Sequence, residues 1–292
     1  MTRKKNLGFL LSDDAIVVAP GVYDALGALL VAEAGFETAY LSGASIAYAR
    51  FGKPDLGLLS LDDVATTLAA ISGRVDLPII VDADTGFGNA LNVIQTVKRL
   101  EREGAAAIQL EDQTFPKRCG HLGGKSLISS GEMTGKIKAA VDARQSPDTL
   151  IIARTDAAAV EGIDAALERA GHYAEAGADV LFVEAPGSQS DLQRVVDQFA
   201  GRQPVMANMV EGGLTPALTT ADLEAMGISL VIFPGGLARA TIFMAREYLA
   251  SLRQNGSTEP YRARMVDFSG LNDFLKTDEY LQTGKKYKPE EL

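Results

Sequence analysis

Short runs of apolar residues recur along this chain, and most are followed by a longer segment whose apolar positions repeat every three or four residues. An uninterrupted apolar run predicts a strand buried on both faces, whereas the longer spacing predicts an amphipathic helix. The predicted strands cover residues 15–19, 38–42, 78–83, 105–110, 149–154, 180–184, 204–209 and 230–234. The predicted helices cover residues 2–12, 22–34, 61–71 and 238–252, and others begin near Asn89, Ser130, Glu161, Ser188 and Thr219. Strict alternation of strand and helix, repeated eight times in about 240 residues, predicts a closed (β/α)8 barrel rather than an open doubly wound sheet.

The composition changes after residues 255–257, which read Asn-Gly-Ser. Residues 1–255 are predicted to form the barrel, and residues 256–292 a C-terminal helical extension. The extension is polar with scattered aromatic residues, among them Phe268 and Tyr280. Because the barrel does not need its apolar stripe, we expect this extension to pack on another subunit.

Charge and cysteine content narrow the possible functions. The chain has 28 basic and 38 acidic residues, a net charge of −10, which argues against nucleic acid as a partner. A single cysteine cannot form an internal disulfide and suits a reducing cytoplasm. No apolar run approaches the roughly 18 residues that span a membrane, so we expect a cytoplasmic protein without a membrane partner.

Three carboxylates follow predicted strands at the end of the barrel where active sites lie. Asp82 and Asp84 are two residues apart and are expected to share a face of one strand, with Glu111 on the next. Converging carboxylates repel one another unless a cation lies among them, and oxygen-only ligands suit Mg2+, or Mn2+, rather than zinc. The alternative is a hydrogen-bonded network of acids at the mouth of the barrel.

Other polar strand ends suggest an anion-binding site. Arg154 ends the fifth strand, and its planar guanidinium suits a substrate carboxylate. Its alternative is a salt bridge to Asp156 or Glu184. A turn of small residues after the second strand offers backbone N–H groups to an anion, and an amide ends the seventh strand, where it is either a ligand-binding group or a satisfied core residue. These residues are Ser42, Gly43, Ala44 and Asn208.

The segment from residue 111 to residue 127 reads EDQTFPKRCGHLGGKSL and carries the only cysteine. Cys119 lies between Arg118 and His121, and nearby positive charge is expected to lower the pKa of its thiol. Glycines at positions 120, 123 and 124 would let the segment open and close over a ligand. The alternative is a surface loop that contains a chance cysteine.

These motifs resemble the isocitrate lyase/phosphoenolpyruvate mutase superfamily over about residues 8–285. The resemblance depends on DADTGFGN at 82–89, QLEDQ followed by PKRCGHLGGK, IIARTDA at 151–157 and NMVEGGLTP at 208–216. The KRCGH motif marks the carbon–carbon lyase branch. The following Leu122-Gly123-Gly124 departs from the form typical of members that cleave methylisocitrate.

The resemblance implies a role for each matching residue. Asp82, Asp84 and Glu111 would hold Mg2+, some of them through water. The implied substrate-binding residues are Ser42, Gly43, Ala44, Asp55, Arg154, Asn208, Glu211, Gly212 and Thr215. Tyr40 would accept a hydroxyl proton, Cys119 would protonate the nascent carbanion, and His121 and Glu184 would support Cys119.

The implied activity is retro-aldol cleavage of a 2-hydroxydicarboxylate, of the 2-alkylmalate, 2,3-dimethylmalate or methylisocitrate type, to a 2-oxo acid such as pyruvate and a carboxylic acid. The implied assembly is a homotetramer, a dimer of dimers that exchange C-terminal helices. One alternative is hydrolysis or decarboxylation of oxaloacetate at the same site. Oxaloacetate hydrolases of this group tend to carry a serine near the end of strand eight, where this chain has Pro234. A second alternative is a non-enzymatic barrel that binds a regulatory ligand.

Overall fold

The computed structural model describes residues 6–13 and 15–287, and within them eight parallel strands close into a barrel in chain order. The strands are β1 (Val17–Val22), β2 (Ala39–Leu41), β3 (Ile79–Asp82), β4 (Ala105–Glu111), β5 (Leu150–Thr155), β6 (Val180–Val183), β7 (Val205–Asn208) and β8 (Leu230–Phe233). Closure comes from the pairing of β1 with β8, in which Val17 lies opposite Leu230. The prediction of a (β/α)8 barrel is confirmed.

Helices connect the strands, and one of them was not predicted. The helices are α1 (Leu7–Leu10), α2 (Ala25–Glu33), α3 (Gly43–Phe51), α4 (Leu61–Ser72), α5 (Ala90–Arg102), α6 (Ser130–Ala143), α7 (Ile163–Glu175), α8 (Gln189–Phe199), α9 (Thr220–Met226), α10 (Gly236–Asn255), α11 (Phe268–Leu275) and α12 (Thr277–Lys285). The sequence pattern missed α3, because its small first residues resemble a turn. Ser42 caps this helix by accepting a hydrogen bond from the N–H of Ser45, and Gly52 ends it with a left-handed φ of 60°.

The core has two layers. Inside the barrel, a cluster that includes Ile80, Phe182 and Met206 is fully or almost fully buried. A larger apolar layer lies between the strands and the surrounding helices. Leu7 and Leu10 of α1 join the inner cluster, so α1 covers the end of the barrel at which the strands begin. Of the helix predicted over residues 2–12, α1 covers Leu7–Leu10 and ends two residues before the predicted end, and residues 2–5 lie outside the described residues.

Strand β1 continues through Pro20-Gly21, where the sequence pattern predicted that it would stop. Proline is compatible with extended backbone, and Pro20 lies opposite Phe233 of β8. At Gly21 the two chains approach so closely that an added β-carbon would lie 2.2 Å from the carbonyl oxygen of Pro234. Glycine is therefore required here by the close approach of β1 to the end of β8.

The chain divides into two compact units, residues up to 239 and residues from 240 onward. The division falls inside α10, earlier than the predicted boundary at residue 255. The second unit contains the rest of α10, a 3-10 helix at Glu259–Arg264, and helices α11 and α12. Across the described part of the chain, no helix combines the length and hydropathy that crossing a membrane requires.

We predict that Gly21→Ala lowers the free energy of unfolding by about 2–3 kcal/mol, as overpacking against a rigid backbone does. Gly135→Ala is the matched control, because Gly135 is an exposed residue inside α6 and an added β-carbon would meet nothing within 4 Å. That variant should be more stable than the wild type by up to about 1 kcal/mol, from helix propensity alone. Urea unfolding followed by circular dichroism measures both, and equal effects of the two substitutions would contradict this account.

Candidate active site

Two aspartates meet at the end of β3. Asp82 is the last residue of the strand, and Asp84 follows in a left-handed conformation with a φ of 48°. The Asp84 N–H donates to Asp82 Oδ1 at 3.1 Å, which fixes this turn. A β-carbon added at Gly43 would lie 3.3 Å from Asp82 Oδ2 and 3.5 Å from Asp84 Oδ1. Both carboxylates therefore face Gly43, although they do so from a turn rather than from one face of a strand.

Glu111, the third predicted carboxylate, ends β4 and faces a different partner. Its Oε2 lies 3.3 Å from Arg154 Nε, and its buried Oε1 has no hydrogen-bond partner in the described chain. Burial raises the pKa of Glu111 well above its ordinary value, although Arg154 opposes this. Within the described residues, no group of three His, Cys, Asp or Glu side chains is arranged to hold a metal ion. Two carboxylates at Gly43 and an unpartnered oxygen on Glu111 instead suit a cation that is held in part through water.

Lys117 is a residue of the site to which the sequence analysis assigned no role. Its buried Nζ lies 2.6 Å from Asp55 Oδ1 and 2.8 Å from Asp84 Oδ1. Burial works against a charged amine, but Asp84, Glu111 and Asp55 together raise the pKa of Lys117 well above its ordinary value. Asp55, predicted to bind substrate, is therefore a partner of Lys117. The sequence did contain a signal for this role. Lys117 lies two residues before Cys119, and the carboxylates predicted at the strand ends needed a positive charge to offset their repulsion.

We call residues 115–125 the lid segment, and Cys119 lies near its middle. The Cys119 N–H donates to the carbonyl oxygen of Asp55 at 3.3 Å. Burial raises the pKa of the Cys119 thiol, so the predicted decrease is wrong. The expected cations are directed elsewhere: Arg118 donates from Nη1 to the carbonyl oxygen of Gly123 at 3.2 Å, and His121 faces a carboxylate. The thiol of Cys119 is therefore held in its protonated form.

His121 ties the lid segment to two further elements. Its Nε2 lies 2.9 Å from Glu184 Oε1, and its Nδ1 accepts a hydrogen bond from the Leu214 N–H at 3.0 Å. A neutral imidazole that accepts at Nδ1 carries its proton on Nε2, facing Glu184. Glu184 also accepts two hydrogen bonds from Asn208 Nδ2, each 3.2 Å long. Although burial opposes it, the charge of Arg154 and the bond from His121 lower the pKa of Glu184.

Asn208 is partly satisfied and partly free. Its amide nitrogen is committed to Glu184, whereas its buried Oδ1 has no hydrogen-bond partner among the described residues. The amide nitrogen therefore fits the interpretation as a satisfied core residue, whereas the ligand-binding role stays a prediction that only the oxygen could serve. The free oxygen can accept a hydrogen bond from a ligand.

Arg154 has the salt bridge that was the alternative to a ligand-binding role. It donates to Asp156 from Nε at 2.9 Å and from Nη2 at 3.0 Å. Its guanidinium carbon also lies 5.3 Å from the centre of the Phe182 ring, a cation–π contact. These contacts hold the guanidinium in a single buried orientation.

Tyr40 lies inside the barrel below the carboxylates, and its hydroxyl donates to Gln109 Oε1 at 3.1 Å. Burial, and then the negative charge of Asp82, raise the pKa of Tyr40 well above its ordinary value. Tyr40 is consequently a neutral phenol in the ligand-free protein. A role as proton acceptor requires additional positive charge nearby.

The turn after β2 is the first turn of α3. The Ser42 N–H donates to the carbonyl oxygen of Val22 at 3.1 Å, so the prediction that it is free for an anion is wrong. In contrast, the N–H groups of Gly43 and Ala44 precede the first backbone bond within the helix and have no partner in the described chain. These two groups can bind an anion.

Three residues of the segment after β7 are not brought together at one point. Glu211 is exposed and pairs with Arg239, Gly212 adopts a left-handed φ of 73°, and Thr215 is buried with no partner for its hydroxyl among the described residues. The Leu214 backbone links this segment to the lid segment through His121. Of the three, only Thr215 has a free polar group inside the protein.

Comparison with known proteins identifies the class to which this barrel belongs. The family described as phosphoenolpyruvate phosphomutase matches residues 8–253. The 2,3-dimethylmalate lyase of Eubacterium barkeri is 43% identical over 95% of this chain and 96% of its own length. The 2-methylisocitrate lyase of Aeropyrum pernix is 46% identical over 92% of this chain and 88% of its own length. The chain belongs to the phosphoenolpyruvate mutase/isocitrate lyase superfamily, and the prediction of an enzyme of its lyase branch is confirmed.

Solved structures support the same assignment. An oxaloacetate acetylhydrolase bound to 3,3-difluorooxalacetate superposes with a TM-score of 0.92 at 32% identity and covers 99% of this chain and 98% of its own. A phosphonopyruvate hydrolase in complex with oxalate and Mg2+ has a TM-score of 0.87 at 31% identity and covers 98% of this chain and 99% of its own. Similar folds in this superfamily therefore carry different activities.

Proposed function

We propose that this protein cleaves a 2-hydroxydicarboxylate of the 2-alkylmalate, 2,3-dimethylmalate or methylisocitrate type to pyruvate and a carboxylic acid. The observation that supports this most is the arrangement of the lid segment. Two contacts fasten the lid segment over the strand ends: Lys117 pairs with Asp84, and His121 contacts Glu184. The lid segment also carries Cys119 as a protonated thiol. The relatives named as lyases suggest the class of substrate.

The proposed cofactor is Mg2+, with Mn2+ as a substitute. Asp82 and Asp84 would hold it beside Gly43, and the free oxygen of Glu111 would bind it through water. A bound Mg2+ would supply Lewis acidity, which lowers the pKa of the substrate hydroxyl and offsets the negative charge around Tyr40. The Mg2+ complex of a structural neighbour supports this choice.

Substrate binding, proton acceptance and proton donation are assigned to different residues of the site. Arg154 and the free N–H groups of Gly43 and Ala44 bind the 2-oxo acid half of the substrate. Tyr40 would act as a phenolate that has first released its own proton to solvent. In that form it accepts the proton of the 2-hydroxyl, a C=O bond forms at C2, and the electron pair of the C2–C3 bond passes to the departing acid. Cys119 then transfers its proton to C3. A thiol with a raised pKa remains protonated at neutral pH, which general acid catalysis requires.

The second candidate function is hydrolysis or decarboxylation of oxaloacetate, and the high structural similarity to an oxaloacetate acetylhydrolase favours it. The same carboxylates and the same arginine would serve a 2-oxo dicarboxylate. Oxaloacetate hydrolases of the superfamily tend to carry a serine near the end of strand eight, where this chain has Pro234. The carbonyl oxygen of Pro234 accepts a hydrogen bond from Ser45 Oγ at 2.9 Å. We therefore rank this function second.

A substrate panel separates the two functions. Malate, 2-methylmalate, 2,3-dimethylmalate, isocitrate, 2-methylisocitrate and oxaloacetate are supplied with Mg2+, and pyruvate, glyoxylate and oxalate are detected. We expect pyruvate from the alkylmalates, loss of turnover with a chelator, and recovery when Mg2+ is restored. Asp82→Asn should remain inactive with added metal. Turnover confined to oxaloacetate, or turnover that survives the chelator, would overturn the proposal.

We also propose that the protein is a homotetramer in which pairs of subunits exchange C-terminal helices. None of residues 240–287 is buried within the single chain, although this unit carries large apolar side chains such as Phe243, Leu249 and Phe268. Exposed apolar surface of this extent is typical of an oligomer interface. A second copy of the chain, which carries the same surface, would bury it through a twofold contact.

Light scattering of full-length variants tests the assembly. Phe268 is the first residue of α11 and is 86% exposed, so Phe268→Glu adds charge to the apolar surface without opposing the helix dipole. Leu91→Glu is the control, since Leu91 lies in the first turn of α5 and is 72% exposed. We expect a tetrameric mass for the wild type and the control, and a smaller mass for Phe268→Glu. A monomeric wild type, or an unchanged mass for Phe268→Glu, would contradict the proposal.

A further inference from the structure

Asp156 is a fully buried carboxylate that the predicted roles leave unassigned. It follows β5, two residues after Arg154. Its Oδ2 accepts from Arg154 Nε at 2.9 Å, and its Oδ1 accepts from Arg154 Nη2 at 3.0 Å and from Lys125 Nζ at 2.9 Å. One side chain thus binds both the arginine of the barrel and a lysine of the lid segment.

A second carboxylate fixes Asp156 in place. Asp112 accepts from the backbone N–H of Asp156 at 2.9 Å and from Thr155 Oγ1 at 2.7 Å. Tyr173 in α7 donates its hydroxyl to the same carboxylate at 2.8 Å. Because the backbone of Asp156 is held on this side, its carboxylate is directed toward Arg154 and Lys125 and cannot turn away without breaking the network.

Lys125 carries the link into the lid segment. Its buried Nζ also donates to the carbonyl oxygen of Gly120, five residues earlier and next to Cys119. The Gly120 backbone lies directly on the barrel, since an added β-carbon would be 2.5 Å from Arg154 Nη2 and 2.6 Å from Glu184 Oε1. Lys125 therefore joins the part of the lid segment beside Cys119 to the carboxylate that orients Arg154.

We propose that Asp156 is a positioning residue that orients Arg154 and, through Lys125, fastens the lid segment over the site. If the lid segment opens, Lys125 leaves, and Asp156 retains only Arg154 as a charged partner. If Arg154 moves, Asp156 loses two of its three side-chain bonds. Closure of the lid segment and the orientation of Arg154 are thereby coupled through one carboxylate.

Alkylation of Cys119 tests the coupling in the ligand-free protein. Cys119 is the only cysteine, so iodoacetamide incorporation measured by mass spectrometry reports on the lid segment alone. We expect Lys125→Met and Asp156→Asn each to raise the alkylation rate about tenfold, the low end for loss of a charge-assisted hydrogen bond. The double variant should alkylate no faster than either single variant, because both substitutions break the same link. Rates at two pH values separate greater access from a change in the pKa of the thiol.

Two control variants keep the test decisive. Lys125→Arg preserves a cationic donor and should restore slow alkylation. Asp179→Asn removes another arginine partner, since Asp179 pairs with Arg144 and accepts from the Ile151 N–H, and it should leave the rate unchanged. If Asp156→Asn does not fold, the pair Lys125→Met and Lys125→Arg carries the test. Wild-type rates in Lys125→Met, or multiplication of the two effects in the double variant, would overturn the proposal.

Kinetics provide a second readout, which rests on the proposed function. With the substrate that is turned over, Lys125→Met should lower kcat with little change in KM, since only the closure of the lid segment is affected. Asp156→Asn should also raise KM by roughly tenfold, because Arg154 loses its orientation. Equal KM values in the two variants would contradict a role for Asp156 in orienting Arg154. The alkylation measurements need no substrate, so they stand even if the proposed reaction is wrong.

Discussion

The site depends on the neutralisation of carboxylates buried at the ends of the barrel strands. Asp84 and Asp156 are both buried, yet their environments differ. Burial raises the pKa of Asp84 to about 6, because its lysine partner is shared with Asp55 and Asp82 lies beside it. Burial acts on Asp156 in the same direction, but Arg154 and Lys125 outweigh it and lower its pKa to about 2. Three charge-assisted hydrogen bonds to one carboxylate account for the difference.

Much of the neutralising charge comes from the lid segment rather than from the barrel. Lys117 reaches Asp55 and Asp84 near one end of the segment, and Lys125 reaches Asp156 at the other. Between them lies Cys119, whose pKa is raised by burial although the charge of Arg154 opposes this. In this arrangement two lysines of the lid segment pair with buried carboxylates of the barrel, and a segment closed in this way isolates a reactive intermediate from water.

The barrel was predictable because each of its eight strands is a continuous apolar run, and this pattern is a local property of the sequence. The missed helix α3 shows the limit of that approach, since a cap such as Ser42 followed by small residues is also typical of a turn. The residues at the site were predictable as types, because polar side chains at strand ends are unusual in a buried sheet. Their pairing was not, because it depends on which side chains meet across loops. Arg118 precedes Cys119 in sequence but is directed away from it, whereas Asp55 lies far from Lys117 in sequence and contacts it.

Steady-state kinetics of Cys119→Ser and Cys119→Ala test the central claim, that a protonated thiol on the lid segment completes the reaction. The serine hydroxyl is a much weaker acid than a thiol, and alanine has no acidic group. Both substitutions should therefore lower kcat by about 10²–10⁴-fold, the contribution typical of general acid catalysis. KM should change little, because Arg154 and the N–H groups of Gly43 and Ala44 still bind the substrate. A kcat within about tenfold of the wild type in both variants would contradict the claim, since a general acid contributes more than that.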